Sequence, residues 1–391
     1  MALRQVSPAV LDPRQRVGAL PAPPQSVTVA GRALRPVGAA RVYVCGITPY
    51  DVTHLGHAAT FVWADVLAAV LESTGVGVVS SRNITDVDDV LTRAARERGS
   101  YFDELALRQE SLFERSMGAL RVATPAHQPR ARHHVAAVQQ LAQALLESGA
   151  AYERDGTVWF RGAGVLERSG LAREEALRLA ADYGDAPEDP AKDDPFDVPV
   201  WRSSDDDHPA WASPWGWGRP GWHAECAAMA LAVHGSSVDV LVGGVDLAFP
   251  HHAYQAAMAA AAVEDPTGGF ARSTLHVGEV RIDGVKMAKS TGNLVLVDDV
   301  LADAAPAALR LLLIDRPWRE AWSYEPGLLT GAQQRLERLY AAAGRPGEPG
   351  SGADDALAPL RAGLDVPAAL DLAEQLGGEA ARRLITVLRL G

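Results

Sequence analysis

The apolar stretch "RVYVCGI" is too short for a helix and stops at Gly46, which predicts a buried strand. It is followed by "HAATFVWADVLAAVLESTG", whose apolar positions recur at helical spacing up to Gly75. A second apolar run, "VGVVSSRNITDVDD", then enters an acidic turn. Strand, helix and strand in this order predict a βαβ unit of a parallel sheet. "SVDVLVGGVDLAF" repeats the pattern of an apolar strand that ends at glycines and an acid. Polar residues at the carboxyl ends of such strands stand where open α/β sheets bind ligands.

Between Pro125 and Asp194 the pattern changes. "HHVAAVQQLAQALLESGA" is helical, "AYERDGTVWF" predicts two short strands joined at Asp155-Gly156, and "DYGDAPEDPAKDDPFD" is a polar, proline-bearing loop. This segment is expected to be an insertion into the sheet domain. From about Val300 the spacing is helical, as in "AALRLLLI" and "LLTGAQQRLERLYAAA". The expected organisation is a catalytic α/β domain in two halves, 1–124 and 196–299, an inserted small domain, 125–195, and a C-terminal helical domain, 300–391.

Composition narrows the chemistry. The longest apolar run, Ala256 to Val263, is far short of a bilayer span, and the proline-broken N-terminus shows no secretory h-region. A cytoplasmic protein with no membrane partner is expected. Two cysteines in a reducing compartment favour a metal or catalytic role over a disulfide. The net charge of −12 repels nucleic acid unless a basic patch overrides it. There are only three lysines, Lys192, Lys286 and Lys289, so coding bias has replaced lysine by arginine almost everywhere. The survivors are candidates for positions where a guanidinium does not serve.

Three constellations carry the candidate chemistry. In "THLGH", His54 and His57 flank Gly56 at the mouth of the predicted helix, where backbone N–H groups and the helix dipole favour an anion. Two ordinary surface histidines would read the same way. "KMAKS" places Lys286 and Lys289 on a glycine-flanked loop, a double positive charge suited to a departing pyrophosphate, against the alternative of a solvated basic turn. Cys45, Cys226 in "RPGWHAECAAMA" and His251 in "DLAFPHHAYQ" can form a soft zinc site with an open fourth position, or the cysteines can be buried structural residues.

Taken in order, these motifs resemble the class I aminoacyl-tRNA synthetases, and most closely their cysteinyl branch. The cysteine before HxGH, "NITDVDD", "PGWHAEC", "DLAFPHH" and the lysine loop cover Tyr43 to Asn293. The resemblance implies an α/β fold: a Rossmann-type (HUP-like) parallel sheet with an inserted small α/β domain and a C-terminal helical domain. It implies one zinc per chain on Cys45, Cys226 and His251. It implies ATP, with Mg2+, whose phosphates meet His54, Gly56 and His57 and are closed over by Lys286, Lys289 and Ser290. Asp246 would hold the ribose, Trp222 would pack on bound cysteine, and Thr48 and Thr85 would lie beside its polar groups.

Two positions depart from the synthetase pattern. Gln255 stands where these synthetases usually have a glutamate that binds zinc, and Ala288 replaces a serine of the lysine loop. "CGITPYDVTHLGHAAT", with Ile47, Pro49 and Ala59, is similar to a paralogous family, the mycothiol-pathway ligases, which also lack the glutamate at position 255. That likeness implies ATP-dependent joining of L-cysteine to the amine of glucosaminyl-inositol through a cysteinyl-adenylate, with AMP and pyrophosphate released. From Glu325 to the end, seven arginines face nine acids, a poor surface for tRNA phosphates. Small-molecule partners and a monomer are therefore expected. A truncated cysteinyl-tRNA synthetase is the second reading, and a non-catalytic zinc- and nucleotide-binding regulator the third; retention of the lysines argues against the last.

Overall fold

The computed structural model describes residues 25–50, 52–204, 208–265, 269–288, 291–346 and 352–391. Its centre is a four-stranded parallel sheet in the order Ala271–Val277, Val238–Gly244, Ala40–Ile47, Val78–Ile84. Val42 and Val44 pair with Val240 and Val242 on one side and with Ser80 and Arg82 on the other. The two middle strands are buried along nearly their whole length, which is why they read as continuous apolar runs. Connections leave Ala40–Ile47 and Val238–Gly244 toward opposite edges, so the switch point of the sheet lies between these two strands.

The helix Leu55–Ser73 packs on this sheet with Phe61, Val62, Trp63, Val66 and Leu67 buried. It is long and apolar enough to cross a membrane, but 72% of that window is buried inside the protein, as for a core helix.

A five-stranded antiparallel sheet forms the insertion, in the order Ala151–Arg154, Thr157–Phe160, Val198–Ser203, Gly216–Pro220, Trp211–Ser213. The first two strands meet at Asp155 and Gly156, both at positive φ (52° and 78°), the two-residue turn read from the sequence. The sheet continues to Pro220, past position 195, because Val198–Ser203 pairs with both Thr157–Phe160 and Gly216–Pro220.

The C-terminal helices Pro306–Ile314, Pro326–Ala343, Ala353–Gly363, Val366–Leu376 and Gly378–Val387 share one continuous apolar core with the parallel sheet and the helix Leu55–Ser73. Arg310 is fully buried in that core, and its guanidinium donates to Asp65 of the helix and to the carbonyls of Leu120 and Leu388.

Candidate active site

Strand Ala40–Ile47 delivers Cys45 to the switch point, and the chain then enters the helix Leu55–Ser73 through His54 as N-cap. Extended backbone at His54 lets its Nδ1 accept the Gly56 N–H at 3.1 Å, and its ring stacks on His57 with centroids 3.9 Å apart. A Cβ on Gly56 would lie 2.9 Å from the His54 ring. Any larger residue here would have to push the capping imidazole aside, a reason for glycine that the sequence did not disclose.

Beside this helix mouth, Cys45, Cys226 and His251 bring their ligand atoms within 4.8 Å of one another, all three buried. Cys226 comes from the helix Trp222–His234, and His251 from the kinked segment Ala248–His252 that follows strand Val238–Gly244. His251 Nδ1 lies 2.9 Å from His223 Nδ1, and burial beside His251 holds His223 well below the usual imidazole range. Burial pushes the Cys45 thiol well up, whereas the neighbouring Cys45 holds the Cys226 thiol well down. Gln255 is fully buried against this cluster: it accepts from Cys45 Sγ at 3.4 Å and donates to the Cys226 carbonyl at 3.4 Å. A neutral amide thus bridges the Cys45 thiol and the Cys226 backbone where a glutamate would add a buried charge.

Trp222 stacks on His251, centroids 4.2 Å apart, and on Tyr183, 5.9 Å apart. Thr85 is fixed by its N–H to the Ile47 carbonyl (2.9 Å) and by Asn83 Nδ2 to its hydroxyl (3.0 Å). Asn83 Oδ1 also accepts the Gly46 N–H at 2.9 Å, so this side chain ties the ends of two neighbouring strands.

Across the switch point, the hairpin Val280–Ile282 and Val285–Lys286 turns at Asp283-Gly284, both at positive φ, and presents Lys286. Lys286 Nζ donates to Asp246 Oδ2 at 2.7 Å and lies 3.8 Å from Glu279 Oε1. The lysine expected at a phosphate and the acid expected at a ribose therefore neutralise each other here. Burial and the nearby Asp246 push the Tyr183 hydroxyl far up. Lys289 and Ser290 lie outside the described residues.

One cavity of about 690 Å³ collects these groups. Thr48, His54, Gly56 and His57 line it with Thr85, Trp222, Asp246 and Lys286, and the three candidate metal ligands are on its wall. Asn83, Tyr183 and Asp88 also line it without having been singled out. His223 and Asn83 sat inside motifs quoted from the sequence; Tyr183 carried no signal, because it reaches the cavity from the insertion.

A parallel sheet whose switch point opens on a cavity of this size, beside a helix mouth with two histidines, defines a nucleotide-binding type of α/β protein. The family model described as tRNA synthetases class I (C) catalytic domain matches residues 34–334. The fold is shared with methionyl-tRNA synthetase of Mycobacterium tuberculosis bound to methionyl-adenylate, at TM-score 0.60 and 17% identity over 90% of each chain. It is also shared with arginyl-tRNA synthetase of Thermus thermophilus, at TM-score 0.55 and 14% identity over 94% of this chain and 82% of that one. The L-cysteine:1D-myo-inositol 2-amino-2-deoxy-alpha-D-glucopyranoside ligase of Acidothermus cellulolyticus is 41% identical over 90% of this chain and 89% of that protein. The ligase of the same name from Rhodococcus jostii is 42% identical over 91% and 88%. The chain belongs to the class I (C) synthetase catalytic-domain family, within the group of these cysteine ligases.

Proposed function

We propose that the chain ligates L-cysteine to the amine of glucosaminyl-inositol in two steps, first forming cysteinyl-adenylate and pyrophosphate, then the amide and AMP. The observation that carries this reading is the thiol–imidazole cluster of Cys45, Cys226 and His251 on the wall of the cavity that also holds the HxGH helix mouth and Lys286. The likeness to the named ligases supports the choice of acceptor.

The donor set fits zinc, with two thiols and an imidazole buried in mutual reach. Bound there, zinc supplies a soft position for the substrate thiolate that serine cannot fill, so cysteine is selected without editing. Trp222 packs on the amino acid, and Thr48 and Thr85 receive its polar groups. The N–H groups at the start of helix Leu55–Ser73, with His54 and His57, meet the phosphates of Mg2+-bound ATP. When the nucleotide enters, its ribose takes over Asp246, and the released Lys286 turns to the pyrophosphate as it leaves, with Lys289 and Ser290 joining it.

The acidic balance after Glu325 and the residues Ile47, Pro49, Ala59 and Gln255 support a small acceptor over tRNA. The test is cysteine-dependent ATP–pyrophosphate exchange, then amide formation and tRNA charging at two salt concentrations. Amide formation that changes little with salt is expected. Charging of tRNA that falls about 10³-fold or more as salt rises, with no amide product, would favour the truncated cysteinyl-tRNA synthetase. Metal analysis should find one zinc per chain, lost in Cys226→Ala; undiminished zinc in that variant removes Cys226 from the site.

A further inference from the structure

The order of the parallel sheet divides the cavity. Asp246, Glu279 and Lys286 follow strands Val238–Gly244 and Ala271–Val277, and the thiol of Cys45 lies at the end of the next strand. Strand Val78–Ile84 forms the opposite edge, and the cavity extends there to Thr85, Asp88, Val90 and Arg93. In the function proposed above, the nucleotide and cysteine are assigned to other residues than these beyond Thr85. They are the part of the wall left for a third substrate.

Asp88 and Asp89 are adjacent carboxylates with different surroundings. Asp89 is held by Arg219 at 2.8 Å and Arg202 at 3.1 Å, both from the insertion sheet. Asp88 caps the helix Asp89–Glu97 by accepting the Val90 N–H at 2.6 Å through Oδ1. Among the described residues, no basic side chain lies within ion-pair distance of it. Resting on the function proposed above, we propose that Asp88 receives the ammonium of the acceptor and takes its proton, delivering the neutral amine to the adenylate carbonyl.

The step balances without a further reactant. One proton passes from the ammonium to the Asp88 carboxylate. The amine lone pair forms the C–N bond, the bond from the carbonyl carbon to the phosphate oxygen breaks, and AMP leaves. The second proton shed by nitrogen goes with the AMP phosphate or to water. Burial pushes the Asp88 carboxyl up to about 6, with Asp89 adding to the rise and the Val90 and Leu91 N–H groups and Arg202 opposing it. Glu225, from the helix Trp222–His234, is the other acid facing it. A carboxylate with no ion-pair partner, Arg202 acting on it only from beside Asp89 and Arg93 lining the same wall, suits proton uptake from an amine.

The competing explanation is a helix cap and nothing more. Asparagine caps a helix as well as aspartate does, so Asp88→Asn separates the two. Amide formation with glucosaminyl-inositol should fall about 10²–10³-fold in kcat/KM for the amine, the scale of a general base. Cysteine-dependent pyrophosphate exchange, and trapping of the adenylate by hydroxylamine, an acceptor already neutral at assay pH, should stay within about threefold. The rise of the amide-forming rate through about pH 6 should vanish in the variant. Amide formation at the wild-type rate would overturn the inference, as would equal losses in amide, exchange and hydroxamate. Unaltered protein that exchanges pyrophosphate but ligates no amino-sugar would overturn the acceptor reading and this inference with it, whereas a competent parent with an equally competent variant overturns the inference alone.

Discussion

Arg310→Met should destabilise the protein by about 3–5 kcal/mol, the cost of removing one partner from a buried ionic network. The guanidinium is wholly buried and donates Nε to Leu388 O at 2.7 Å, Nη1 to Leu120 O at 2.8 Å and Nη2 to Asp65 Oδ2 at 2.5 Å. Methionine fills most of the vacated space, so the loss is chiefly polar. Each carbonyl deprived of its donor costs about 1–3 kcal/mol. The Asp65 carboxylate keeps the Ala123 N–H at 2.8 Å and Arg389 Nη1 at 2.7 Å, so it is not stranded and the total stays within that range. Because the C-terminal helices and the sheet share one core, the urea transition of that core, read by far-UV circular dichroism beside that of the insertion with its own core, is the right assay. The midpoint should fall by about 1 M or more at an m-value near 3 kcal/mol/M, with m unchanged. Arg310→Lys keeps the charge but cannot reach three divergent acceptors, and should fall between. A loss under about 1 kcal/mol for Arg310→Met would refute the reasoning, since other donors would then be satisfying both carbonyls.

Three further outcomes are expected. His234, bonded to Ser81 Oγ at 2.7 Å, is pulled down to about 4 by burial. Below pH 6.5 the unfolded chain takes a proton that the folded one refuses until about pH 4, so stability should fall by roughly 1–2 kcal/mol across that window and its His234 part should be flat above it; urea midpoints of the parent and His234→Gln against pH check this, and parallel curves would contradict it. A Cβ at Gly46 would lie 1.7 Å from the Asn83 carbonyl, so Gly46→Ala should lose about 3 kcal/mol or fail to fold, and a melting temperature within about 2 °C of the parent would be the contrary result. Lys286→Met and Lys289→Ala should each lower the kcat of pyrophosphate exchange about 10²–10³-fold with zinc content unchanged, and normal exchange in either would return that lysine to a solvated turn.

What the sequence disclosed was local in pattern. Val42 and Val44, or Val240 and Val242, are legible as strand because both faces of a parallel sheet are covered, which leaves an unbroken apolar run. Asp155-Gly156 is legible because a two-residue hairpin needs two positive φ angles. The strands Trp211–Ser213 and Gly216–Pro220 escaped notice, being short and rich in Trp, Gly and Pro, the first of them at the edge of the insertion sheet. The motif residues of the cavity were legible as types, but their present partners were not. Lys286 rests on Asp246, 40 residues away, a contact between two residues whose types announce only what each would do to a nucleotide.

Arg310 shows why long-range positioning is the least legible part. In "AALRLLLI" it looks like one polar interruption of an apolar helix, yet its partners stand 78, 190 and 245 residues distant. One of them, Asp65, sits midway along the helix capped by His54, so the helix carrying HxGH is held at its mouth by backbone pairing of His54 with Leu296 and at its middle by the C-terminal region. Among the described residues the C-terminal helices do not line the cavity, but through Asp65 they anchor the helix whose first turn carries His57. A helical region that shares one apolar core with the sheet and grips Asp65 in this way is suited to holding that helix in place.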